Sequence, residues 1–114
     1  DERVVLVDAD LGRANGTLRI KERFPDRAFN VGVAEQNMAS VAAGLASYGF
    51  IPFINSFAAF ASRRICDQIA ISIAYAQQNV KIVGTAPGIT AGPNGGTHMC
   101  FQDHVYIISS IAYC

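Results

Sequence analysis

Short apolar runs alternate along this chain with stretches in which apolar residues recur every third or fourth position, and the alternation repeats four times. Val4 to Val7 is a continuous apolar run of strand type, and Asp8-Ala9-Asp10-Leu11-Gly12 follows it as a turn. Thr17 to Phe24 predicts a short helix closed by Pro25-Asp26, and Ala28 to Val31 a second strand. Met38, Val41, Ala42 and Leu45 fall at i, i+3, i+4 and i+7, which predicts an amphipathic helix over Glu35 to Tyr48, ended by Gly49. Ile51 to Ile54 is a third strand. Phe57, Phe60, Ala61, Ile65, Ile69 and Ile73 then recur at helical spacing, so one long helix is expected from Phe57 to just before Asn79. Val80 to Val83 is the fourth strand. Ala86 to His98 carries Gly88, Gly92, Gly95 and Gly96 with Pro87 and Pro93, which marks a loop whose backbone can approach a ligand closely, and a final helix is expected near Gln102.

Apolar strands that need cover on both faces, each followed by a helix, imply an α/β domain over residues 1–114: a doubly wound, mostly parallel sheet with helices on both faces. Ligands of such sheets bind beyond the carboxyl ends of the strands. Those ends lead into Asp8 and Asp10, Glu35, Ser56-Phe57, and the glycine loop that finishes at His98, so the candidate chemistry gathers at one edge.

Composition narrows the functional classes. With 114 residues, 51% apolar and 16% charged, the chain can bury one core. Nine basic and nine acidic side chains cancel, and no basic cluster exceeds Arg63-Arg64, so neither nucleic acid nor an anionic membrane is an expected partner. Cys66, Cys100 and Cys114 lack C-x-x-C spacing, and Cys66 sits in a helical pattern as a small buried hydrophobe. A reducing, cytoplasmic setting is expected. No targeting segment or membrane span is evident. The chain opens just before a strand and stops in an apolar stretch, so it reads as a piece of something larger.

Among the polar residues, Glu35 has the most to explain. A lone carboxylate between a short apolar strand and an apolar helix is expected to be half-buried, and desolvation there would favour its protonated form and make it a candidate proton donor. The alternative is an ordinary first-turn glutamate facing the helix dipole. Asp10 reads equally as a turn residue satisfying backbone amides, and Phe57 and Phe60 as core. His98 can hydrogen-bond a substrate hydroxyl or move a proton from the end of its loop. His104 suggests no role. The glycines match neither G-x-x-x-x-G-K-[ST] nor G-x-G-x-x-G, Ser56 lies outside G-x-S-x-G, and the histidines and cysteines have no metal-ligand spacing.

A larger pattern joins these pieces. Asp8-Ala9-Asp10-Leu11, Arg23-Phe24-Pro25-Asp26-Arg27, Gly32-Val33-Ala34-Glu35-Gln36-Asn37-Met38, Ala43-Gly44-Leu45, Pro52-Phe53, Ser56-Phe57-Ala58-Ala59-Phe60, Asp67-Gln68-Ile69 and Gly95-Gly96-Thr97-His98 together resemble the pyrimidine-binding domain of transketolase. The resemblance runs over nearly the whole chain and is strongest to the C-terminal subunit of split transketolases. It implies a thiamine diphosphate enzyme that transfers a two-carbon ketol unit from a ketose phosphate to an aldose phosphate, as used in pentose phosphate metabolism. Glu35 matches the glutamate that hydrogen-bonds the cofactor's aminopyrimidine and promotes its imino tautomer. Phe57 and Phe60 match the aromatic wall of that pocket, Arg63 stands where a tyrosine commonly flanks the ring, and Asp10 matches an aspartate near the cofactor and subunit contact. His98 matches the histidine that meets sugar hydroxyls, and Asn94 replaces an aspartate that touches a donor hydroxyl. Ala14 stands where a serine often contacts the acceptor's phosphate.

The magnesium–diphosphate motif of the family is not in this sequence. The resemblance therefore implies a partner chain or domain that holds the diphosphate through Mg2+ or Ca2+, assembly into a homo-oligomer, and an isolated chain that is inactive. Three alternatives stay open: a non-catalytic, truncated pyrimidine-binding module acting through oligomerisation, part of a deoxyxylulose phosphate synthase, or part of a 2-oxoacid dehydrogenase beta subunit.

Overall fold

The computed structural model describes residues 1–101 and contains a four-stranded sheet in the order β2-β1-β3-β4. β1 is Val4–Asp8, β2 Ala28–Asn30, β3 Ile51–Phe57 and β4 Lys81–Thr85. All three pairings are parallel, with Leu6 opposite both Ala28 and Phe53, and Ile54 opposite Ile82. The doubly wound parallel α/β architecture expected from the apolar pattern is therefore the observed one. The chain runs outward from β1 to β2 and then back across to β3, so the order reverses beside β1, where a doubly wound sheet opens its ligand crevice.

Alternation along the strands decides what each face meets. Val7 and Ile54 point toward α2 (Glu35–Ser47), whose Met38, Ala39, Ala42 and Ala43 are buried against them in the main core with Ile65, Ile69 and Ile73. Small residues on α2 let helix and sheet approach closely. The opposite face carries Val4, Leu6, Phe53 and Val83, which border a cavity of about 580 Å³ together with Ile20 and Phe24 of the α1 region. α1 (Leu18–Arg23) has no buried residue. Helices thus lie on both faces, but far more of the core sits on the α2 side.

The long helix expected from Phe57 to residue 78 is not continuous. β3 extends to Phe57, which pairs with Thr85 in the ladder, and α3 is the single turn Ala58–Ala61. Ser62 then leaves helical geometry (φ −121°, ψ −84°), and its hydroxyl donates back to the Ala58 carbonyl at 2.6 Å. A 3-10 turn at Arg63–Ile65 and a π-helical segment at Gln68–Tyr75 follow. Ile65, Ile69 and Ile73 keep their buried face through these changes, so the apolar spacing reports burial correctly while concealing the break. Gly84 explains how α3 can sit so near the sheet, because a Cβ there would lie 3.0 Å from the Ala58 Cα.

Smaller boundaries also shift. The first helix begins at Leu18 and ends at Arg23, and β2 ends at Asn30, one residue before Val31, whose amide still donates to the Asp8 carbonyl at 3.0 Å. Cys66 is partly exposed, where a buried position was expected, since it falls between the 3-10 turn and the π-helical segment. The expected final helix near Gln102, together with His104 and Cys114, lies outside the described residues. Among the described residues, no helix is long and apolar enough to cross a membrane.

Candidate functional site

At the carboxyl edge of the sheet, the second and third crossovers and the loop after β4 bring four predicted residues into one neighbourhood. Glu35 is the first residue of α2 and only 5% exposed. It is buried where a half-buried position was expected, and it has a partner: its Oε1 accepts a hydrogen bond from Arg64 Nη1 at 2.7 Å. The carboxyl therefore meets an opposite charge as well as a dry surrounding. The first-turn position adds the favourable end of the helix dipole.

Arg64 also reaches the aromatic pair. Its guanidinium carbon lies 3.8 Å from the centre of the Phe60 ring, within cation–π range. Phe57, the last residue of β3, and Phe60, on α3, have ring centres 6.0 Å apart in an edge-to-face arrangement. The His98 imidazole packs against both rings, 5.7 Å from Phe57 and 5.1 Å from Phe60. Carboxylate, guanidinium, two benzyl rings and imidazole thus form one contiguous cluster. Beneath it, Phe60 packs with Ala59, Cys100 and Leu11, so this part of the edge has its own small apolar base.

The loop that carries His98 is tied down at both ends. Gly88 and Cys100 exchange backbone hydrogen bonds at 2.9 and 3.3 Å, which closes the loop as a ring over α3. Arg63 Nη2 donates to the Thr97 carbonyl at 3.1 Å, one residue before His98, and Thr97 Oγ1 lies 2.9 Å from His98 Nδ1. Arg63 therefore grips the loop and makes no ring contact in the cluster. Asn94 sits on the exposed 3-10 turn Gly92–Asn94 of the same loop, and its side chain makes no hydrogen bond among the described residues.

Asp10 is at the same edge but in another group. It takes a left-handed backbone (φ 63°), its amide donates to Asn30 Oδ1 at 3.1 Å, and its Oδ1 accepts from Asn30 Nδ2 at 3.1 Å. The amide-satisfying task one expects of Asp10 falls instead to Asp8, whose carboxylate accepts from the Leu11 amide at 2.7 Å and the Thr17 hydroxyl at 2.8 Å. Asp10 stays exposed and joins the tips of β1 and β2 through Asn30.

Arg64 is the member of the cluster that the linear pattern left unassigned. The four-residue spacing of Phe60 and Arg64 hints at a contact on a helical face, although the helix breaks at Ser62 and the contact is made from the 3-10 turn Arg63–Ile65. The partnership of Arg64 with Glu35, 29 residues earlier, needed the fold. Among the described residues, no three His, Cys, Asp or Glu side chains converge in a way that could hold a metal ion.

A family model for the pyrimidine binding domain of transketolase matches residues 1–109. The chain belongs to the transketolase pyrimidine-binding domain family. It is 59% identical over 103 residues to a 6-deoxy-6-sulfo-D-fructose transketolase subunit from Clostridium sp. (strain MSTE9), a match over 90% of this chain and 32% of that protein. A putative transketolase C-terminal section from Methanocaldococcus jannaschii is 48% identical over 102 residues, again 90% of this chain and 32% of that protein. Among solved structures, a split-gene transketolase described as an inactive beta4 tetramer superposes with a TM-score of 0.77 and 40% identity, over 93% of this chain and 33% of that one. The transketolase pyrimidine-binding domain described here thus spans about a third of the length of the relatives it matches.

Proposed function

We propose that this chain is the pyrimidine-binding part of a split, thiamine diphosphate-dependent transketolase. Glu35 carries the reading: a carboxylate 5% exposed, at the start of α2, linked through Arg64 to an aromatic pair at the carboxyl edge of a parallel sheet. A buried acid next to flat apolar rings suits a flat, nitrogen-rich heterocycle, with the acid at a ring nitrogen and the aromatic side chains against its face. The residues present therefore fit an aminopyrimidine. When bound, the cofactor supplies the carbon–carbon chemistry of ketol transfer.

Each residue of the chain then has a task of binding or proton control. Glu35 holds a hydrogen bond to the aminopyrimidine ring and shares a proton with it, which a solvated carboxylate does poorly because water competes for both partners. Phe57 and Phe60 exclude water from that bond. His98, held between the rings and the loop, presents its imidazole to the hydroxyls of the sugar near the reacting carbon, and Asn94 meets a donor hydroxyl further along the loop. Arg63 acts one step removed, since its bond to the Thr97 carbonyl sets the height of the loop at His98. Asp10 lies at the cofactor and subunit contact.

The activity assigned is transfer of a two-carbon ketol unit from a ketose phosphate to an aldose phosphate. It requires a separate diphosphate-binding chain or domain that holds the diphosphate through Mg2+ or Ca2+, assembly as an oligomer, and a cytoplasmic setting. The family membership and the split-subunit relatives support this reading. Its test is coexpression of the full-length subunit with its diphosphate-binding partner, followed by a ketol-transfer assay. Transfer by the wild type and its loss in Glu35→Ala are expected. Undiminished transfer in that variant overturns the role of Glu35, and turnover of pyruvate in place of a ketose phosphate assigns the chain to a deoxyxylulose phosphate synthase or a 2-oxoacid dehydrogenase beta subunit instead.

A further inference from the structure

We infer that Arg64 is a built-in stand-in for the cofactor ring, a side chain that occupies the Glu35–Phe60 pocket until the aminopyrimidine displaces it. The inference rests on the thiamine diphosphate reading above and adds a step to it. A guanidinium is flat, carries N–H donors along its edge, and stacks on aromatic faces. Those are the properties by which an aminopyrimidine would be held at this site. Arg64 uses them on the same two groups: an N–H donated to Glu35 at 2.7 Å, and its plane's centre 3.8 Å from the Phe60 ring centre. Both groups are committed to Arg64 in this structure, so a ring seated between them must first move it.

The two ends of the pair differ in a way that permits this. The Glu35 side chain is 5% exposed, whereas that of Arg64 is 45% exposed. Arg64 can leave toward water and regain hydration, while Glu35 stays in place. Arg64 gives the buried carboxylate a counter-charge here, sparing it the cost of an unpaired buried charge. It also keeps the Phe60 face covered. Occupancy of the pocket by Arg64 and by the cofactor ring are then competing states, and the apparent cofactor affinity is reduced by the fraction of molecules in which Arg64 is out.

The test compares wild type with Arg64→Ala in the full-length subunit assembled with its diphosphate-binding partner. Thiamine diphosphate with Mg2+ is titrated by calorimetry, and the thermal midpoint of the cofactor-free assembly is recorded alongside. The variant is expected to bind the cofactor about three- to tenfold more tightly, with a lower midpoint when cofactor-free. The affinity ratio should narrow as salt rises, because screening weakens the competing pair in the wild type alone. Arg64→Lys keeps the charge without the flat fork and should fall between the two. Equal affinity in wild type and Arg64→Ala overturns the stand-in role and leaves the cofactor reading intact. Weaker binding by a folded Arg64→Ala overturns it too, by placing Arg64 within the loaded site. Absence of binding in both, with the assembly folded, overturns the cofactor reading itself.

Discussion

Two carboxylates sit at the carboxyl edge of this sheet with nearly equal burial, Asp8 at 6% and Glu35 at 5%, and they are satisfied in opposite ways. Asp8 takes its hydrogen bonds from neutral groups close in sequence, the Leu11 amide and the Thr17 hydroxyl, both held by the same corner of the fold. Nothing there can leave without opening the turn between β1 and α1. Glu35 takes its bond from a long, half-exposed arginine that arrives from another crossover. A carboxylate whose donors are local and buried is part of the scaffold. One whose donor is charged, distant and exposed can exchange that donor for a ligand, and at equal depth that difference separates the scaffold acid Asp8 from the role proposed for Glu35.

The comparison can be broken most directly at Glu35. In the assembled enzyme, Glu35→Gln keeps the shape of the side chain and removes its acid–base function, so kcat for ketol transfer should fall by roughly 10²- to 10⁴-fold. The thermal midpoint should move little, because the amide oxygen still accepts from Arg64. A large loss of stability with activity retained would reverse the roles assigned to the two acids. Asp8→Ala is expected to show the opposite profile: it leaves the Leu11 amide and Thr17 hydroxyl without their acceptor and should cost about 2–3 kcal/mol in denaturant unfolding. A loss below about 0.5 kcal/mol, within the range of ordinary surface changes, would mean that water replaces the carboxylate and the corner is not locked.

Thr17→Val sharpens the same corner with a smaller change. Removing one hydroxyl beside a retained, buried carboxylate should destabilise by about 1–2 kcal/mol, and the double variant with Asp8→Ala should be less destabilised than the sum of the two. Strict additivity would show that the two side chains do not act together. The smallest effect belongs to the Glu35–Arg64 pair. A double-mutant cycle with Glu35→Gln and Arg64→Ala should give a coupling of about 0.5–1 kcal/mol at low salt, shrinking toward zero near 1 M, because the arginine is half exposed. Coupling that ignores salt would make this pair as fixed as the Asp8 corner.

Much of this was legible in the linear pattern. Apolar runs at Val4, Ala28, Ile51 and Val80, separated by turn residues and helical spacing, are enough to specify parallel strands with helical crossovers, since that arrangement sets successive runs side by side in one sheet and covers it with helices. Glu35 stood out because a charge interrupts an apolar strand–helix junction, and the order of motifs around it carried the family. The same spacing could not reveal the helix break at Ser62: burial of Ile65, Ile69 and Ile73 looks alike in α- and π-helical winding, and the end of β3 is set by pairing of Phe57 with Thr85, 28 positions on. Nor could it choose between Asp8 and Asp10, two residues apart on one turn. One faces Thr17 and the other Asn30 only because β1 pairs with β2. The architecture, and Glu35 as the candidate acid at the sheet's carboxyl edge, could be read from the linear pattern, because both follow from where apolar and charged residues alternate. The identity of the partner waiting beside that acid was decided by tertiary structure alone, since Arg64 reaches Glu35 across two crossovers and no local rule connects them.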